Sequence, residues 1–104
     1  MEKILPIGSI VYLKSSKHKI MIINRGVQIE VEEEIQMFDY SACHYPAGLS
    51  LDKIVYFNTE NIDKVLFEGY FDSEEERTQE LHKQWLATEG KKIVKGKVKL
   101  VLEE

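Results

Sequence analysis

The sequence predicts an α+β fold: a mostly antiparallel β small barrel or sandwich, SH3-like in size, with a short helical turn and one C-terminal helix. Three observations carry this. Short runs of β-branched and aromatic residues recur along residues 4–71, separated by turn signals. Val27, Ile29 and Val31 alternate with Gln28, Glu30 and Glu32, the period of a half-buried strand. At Ser73 the pattern changes to a capping-box sequence, Ser73-Glu74-Glu75-Glu76, followed by helix formers.

A chain of 104 residues supports one hydrophobic core. A single domain is expected over 1–104. It divides into a β-rich core at 5–72, a helix at 73–89 and a lysine-rich terminal strand or tail at 91–104. Pro6 and Gly8 sit where a strand begins, and Ile10, Val11, Tyr12 and Leu13 form a short buried run. Residues 14–19 are a polar turn in which His18 is a solvated side chain. Residues 20–23 form a second buried run. Asn24-Arg25-Gly26 reads as a turn or bulge, with Gly26 at positive φ, before the alternating strand at 27–31. Glu32-Glu33-Glu34 is a solvated acidic turn, because successive residues do not point at one ion.

Residues 37–45 form the next strand, ended by Pro46-Ala47-Gly48. Cys43 and His44 suggest a thiolate–imidazole pair, but neighbours on a strand face opposite ways, so Cys43 is expected to be buried and inert. A strand at 54–57 leads to Asn58 or Thr59 as an N-cap and a helical turn at 60–64, anchored by Ile62 and Val65. Residues 66–71 return to strand, with Gly69 marking a bulge or close packing. The helix runs from Ser73 as N-cap to about Thr88, with Gly90 as its stop. Leu81 and Trp85 share a face, either clamping the helix to the sheet or forming a contact stripe. The last strand, with Val98, Leu100 and Leu102 alternating with Lys97 and Lys99, is expected to pair antiparallel with 27–31 through opposite charges.

Composition excludes several classes. A net charge of −4 argues against a general nucleic-acid binder, and the tyrosines fall in β segments rather than on a basic platform. One cysteine rules out an internal disulfide and suits a reducing cytoplasm. The N-terminal stretch lacks a signal-peptide pattern, and no run approaches the roughly 18 apolar residues of a membrane span. No phosphate loop, metal cluster or nucleophile elbow is visible, so no cofactor, metal or catalytic residue is assigned and the chain is not read as an enzyme.

Five stretches in order carry a resemblance: LPIGS at 5–9, MII at 21–23, Asp39-Tyr40, Tyr45-Pro46-Ala47-Gly48, and residues 57–75, which contain Ile62-Asp63, Val65, Phe67-Glu68-Gly69-Tyr70, Asp72 and Glu74-Glu75. Together they resemble a small family of domains of unknown function encoded in type VII secretion loci of Gram-positive bacteria, beside LXG toxins. One departure is Ala47, where the family pattern carries Glu. The resemblance implies a cytoplasmic accessory protein, an effector-specific chaperone or targeting adaptor. Its partners would be an LXG toxin and the secretion machine, with no nucleic acid and no membrane insertion. The residues expected to contact a partner are Tyr40, Tyr45, Phe67, Glu68 and Tyr70, with Trp85 on the helix; for Phe67 a core position is the stronger expectation. The alternatives are an immunity protein for the adjacent toxin and a small-barrel enzyme or nucleic-acid module. Tyr70 and Glu74, like Tyr56 and Glu60, match the YxxxD/E export tag. A β-rich chain with no WxG turn between long helices does not read as an exported substrate.

Overall fold

The computed structural model describes residues 4–98. Six strands form one sheet: β1 (Ile10–Leu13), β2 (Ile20–Val31), β3 (Glu34–His44), β4 (Val55–Phe57), β5 (Ile62–Phe67) and β6 (Val94–Lys95). The spatial order is β4-β3-β2-β1-β5, antiparallel throughout, and β6 lies parallel to β3. One helix, α1 (Ser73–Ala87), follows β5.

The connection from β4 to β5 shapes the sheet. These strands are the two ends of the spatial order, yet only residues 58–61 join them. Five peptide steps span at most roughly 17 Å. The sheet must therefore curl until its outer strands approach, although they form no ladder and the sheet stays open. A bulge in β2 assists the curl: the register with β3 shifts between Ile22 and Asn24. Gly26 follows at φ 62°, a conformation costly for a residue with a Cβ.

The core lies inside this curl. Leu5, Val11, Leu13, Ile20, Ile22, Tyr40, Ala42 and Phe57 form one buried cluster, with Ile4, Val55, Ile62 and Val98 against its margin. The Tyr40 and Phe57 rings stack with centroids 5.3 Å apart. The Tyr40 hydroxyl accepts a hydrogen bond from Leu5 N–H at 3.0 Å, and burial pushes the phenol pKa up. Cys43 is buried and unpaired with another cysteine, as its place in the strand predicts.

Several elements differ from the sequence expectation. The runs at 20–23 and 27–31 belong to one bulged strand. β3 starts at Glu34, because Glu32 and Glu33, both at positive φ, close a two-residue hairpin turn. The expected helical turn at 60–64 is a 3-10 turn over Thr59–Asn61, and Ile62 already pairs with Leu13 in β5. Asn58 caps it: Asn61 Oδ1 accepts from Asn58 N–H at 2.9 Å. Asn58 is itself buried, bonded to Asp39 N–H and to the Gly96 carbonyl. Those bonds satisfy a polar side chain inside the fold. β5 stops at Phe67, so residues 68–71 are not strand.

The N-cap of α1 is Asp72 rather than Ser73; its carboxylate accepts from Glu75 N–H at 2.9 Å. Glu74, Glu75 and Glu76 then sit at the positive end of the helix dipole. The helix ends at Ala87 with Thr88 as C-cap, and Gly90 instead opens a 3-10 turn over Gly90–Lys92. The strand in the lysine-rich segment is β6; it pairs in parallel with β3, Gln36 opposite Val94, and does not pair with 27–31. Its expected continuation through Leu100 and Leu102 lies outside the described residues.

Candidate functional surface

The two stretches LPIGS and FEGY meet. Ser9, fully buried, donates its hydroxyl to the Pro6 carbonyl at 2.8 Å and accepts Gly69 N–H at 2.9 Å. Gly69 lies so close to Ile7 that a Cβ there would overlap the Ile7 carbonyl oxygen. Glycine is required at that position for backbone proximity. This junction holds Ile7 beside the end of β5 and turns residues 68–71 across the surface. Ile7, Leu66, Phe67, Tyr70 and Phe71 are all exposed there, Phe67 at 58% and Tyr70 at 80%. Val65, Leu66 and Phe67 also lack the charges that usually guard an edge strand. Among the described residues β5 has β1 as its only strand partner. The surrounding acids are Asp63, Glu68, Asp72 and Glu74.

The residues expected to contact a partner therefore separate. Phe67, Glu68 and Tyr70 share this surface. Phe67 is not a core residue, because β5 carries exposed side chains on both faces beyond Ile62. Tyr40 is 1% exposed and belongs to the core, so it offers no contact surface. Tyr45 is exposed on another side, beside Lys19, whose ammonium lies 5.7 Å from the ring centre. Trp85 is half-buried, stacked near His82 and packed on Gly90, where a Cβ would collide with its ring. Ile7, Leu66 and Phe71 were missed. Ile7 and Phe71 lie outside regular strands, where a single apolar residue carries no periodic signal.

The helix docks by polar contacts. Its inward face is Glu75, Gln79, His82 and Trp85, and none of its residues is fully buried. Arg25, rising from the β2 bulge, makes a two-pronged pair with Glu75, its Nη2–Oε1 distance being 3.0 Å. Arg25 also donates to the Leu5 carbonyl at 3.2 Å. Gln79 donates to the Ile4 carbonyl at 2.9 Å and to Glu75 at 2.7 Å. His82 approaches Gly26 so closely that a Cβ would strike the imidazole. The Arg25 hydrogen bond, helped by Gln79, holds the Glu75 carboxyl below its ordinary pKa. Burial, with the Arg25 charge, pushes the His82 pKa down. Leu81, expected on this face, is 49% exposed.

Among the described residues no three His, Cys, Asp or Glu side chains converge as metal ligands. No helix there is long and apolar enough to cross a membrane. Cys43 is buried and His44 half-buried on adjacent, oppositely facing positions of β3.

A small α+β domain with a curled open sheet and an exposed apolar edge thus defines the structural class. The chain belongs to the DUF4176 family, a domain of unknown function, whose model matches residues 4–78. That span covers strands β1 to β5, both tied stretches and the start of α1, but not β6. No curated protein and no solved structure matches the chain.

Proposed function

We infer that this protein is a cytoplasmic accessory factor of type VII secretion, a chaperone or targeting adaptor that binds an LXG effector. The secretion context comes from the sequence resemblance. The observation that supports a binding role is the exposed surface of Ile7, Phe67, Tyr70 and Phe71, held rigidly by the Ser9–Gly69 junction. Aromatic side chains anchored on fixed backbone lose little entropy on binding, which suits an interface centre. The β5 edge offers a backbone template for an extended segment of the effector.

The test is co-purification with the cognate LXG effector, divided into its LXG half and its toxin half. Capture by the LXG half, lost in a Phe67→Ser/Tyr70→Ser variant and accompanied by loss of effector secretion on deletion, supports the reading. Capture by the toxin half, with loss of self-protection on deletion, replaces it with an immunity role. Failure to bind either half removes it.

A further inference from the structure

A second surface lies away from the β5 edge. A half-open groove of about 710 Å³ runs between the β1–β2 turn, the end of β3 and the loop after it. Leu13, Ile20 and Val55 line it; Leu13 and Ile20 are core residues, so the groove reaches the hydrophobic interior. Lys19 and Lys53 stand on its rim with Tyr45. The chain as a whole has 18 acidic against 14 basic residues, yet among the described residues no carboxylate lines this groove. Asp52, in the same loop, accepts the Ser50 hydroxyl at 2.6 Å and is not among the residues that line the groove. The groove therefore joins an apolar floor to a cationic rim in an otherwise acidic protein.

Its surroundings indicate the size of the occupant. Leu49 lines the groove at 60% exposure, and Leu51 just outside it is 82% exposed. A small molecule seated on Leu13 and Ile20 would leave Leu51 in water. An extended chain crossing the rim would cover both leucines. We propose that this groove binds an extended segment of a partner protein in which aliphatic side chains alternate with carboxylates. The aliphatic side chains enter over Leu13, Ile20 and Val55, and the carboxylates meet Lys19 and Lys53. Ala47 contributes by its small, uncharged side chain: a carboxylate there would enter the groove and repel the ligand.

The experiment titrates the full chain, observed by amide NMR, with three blocked peptides, GELDLEG, GQLNLQG and GKLKLKG, and separately with decanoate. The expected result is that GELDLEG shifts the amides of Ile20, Tyr45 and Val55. Affinity should fall about tenfold in Lys19→Glu/Lys53→Glu and in Ala47→Glu. These three positions are exposed, so the variants keep the fold, which the unchanged remainder of the spectrum verifies. Equal binding of the neutral or basic peptide would overturn the proposal, as would groove shifts with decanoate and none with GELDLEG. No groove response up to about 2 mM peptide, beyond which contacts are too weak to be specific, would overturn it as well. None of these results depends on the LXG effector, so the two readings fail separately.

Discussion

The inside of the curled sheet and the seam under α1 are held by different physics. Inside the sheet, hydrocarbon packs on hydrocarbon: Val11, Ile22, Ala42 and Phe57 are sealed from water. Under the helix, the contacts are the Arg25–Glu75 pair, Gln79 on a main-chain carbonyl and His82 against Gly26. Burial of apolar area is cooperative and insensitive to pH, whereas the largely buried Arg25–Glu75 pair is titratable, and removing one partner leaves the other charge uncompensated. The helix is thus tied to the sheet by polar contacts, and the chain beyond it returns to the sheet as β6. The comparison also explains Phe67, Tyr70 and Phe71: neither the core nor the seam uses them.

The largest effect should come from Phe57→Ala. Removing a fully buried ring costs about 3–5 kcal/mol, a large share of the stability of a domain this size. Urea denaturation should show a strongly lowered midpoint. A near wild-type midpoint would mean the core is not centred on Tyr40 and Phe57. Next, Arg25→Ala should cost about 2 kcal/mol, with the loss confined to the helix. Amides of α1 should exchange faster while those of β2 and β3 keep their protection. Uniform loss across the sheet would show that seam and core are one unit. Tyr40→Phe keeps the ring but strands the Leu5 N–H, at a cost of about 1 kcal/mol.

Acid should act on the seam before the core. Both seam groups have folded pKa values below their ordinary ones, so the native state binds fewer protons than the unfolded chain. Their contributions are complete at neutral pH or above. His82's is lost as pH falls from the ordinary histidine range through its lowered value. Glu75's follows below the ordinary carboxylate range. Helix amides should therefore lose protection on acidification ahead of sheet amides, and Glu75→Gln should flatten the lower part of that profile. The smallest effect on stability should come from Phe67→Ser/Tyr70→Ser, within about 0.5 kcal/mol, because those side chains are already in water.

The strands were legible wherever one face is buried. Val27, Ile29 and Val31 show the period of two because Gln28 and Glu30 face solvent. Asn24-Arg25-Gly26 read as a turn or bulge; Gly26 does take a positive φ, but the bulge falls just before it, between Ile22 and Asn24, and the strand runs on through Arg25. The acidic run in the first turn of α1 announced the helix, but Asp72 and Ser73 are both good caps, and tertiary geometry selected Asp72. The 60–64 stretch misled because an N-cap at Asn58 serves a 3-10 turn as well as an α-helix. The seam was not legible. Arg25 and Glu75 are fifty residues apart, and nothing local says that a strand arginine meets a first-turn glutamate. Of the exposed apolar residues on the β5 surface, Phe67 and Tyr70 lie in the stretches that the resemblance singled out. Phe67's exposure was not foreseen, because an apolar residue on a strand reads as core until the strand is known to be an edge. The groove was hidden for the same reason: Leu13 and Ile20 belong to core strands, and Lys19 and Lys53 reach it from separate loops.

The most direct measurement is amide hydrogen exchange on the full chain alone and saturated with the LXG half of the proposed effector. The account predicts slowed exchange at residues 65–71, with the core strands β2 and β3 unchanged. A complex that forms while residues 65–71 exchange as freely as before would contradict it, since the exposed aromatics would then serve neither the fold nor the partner.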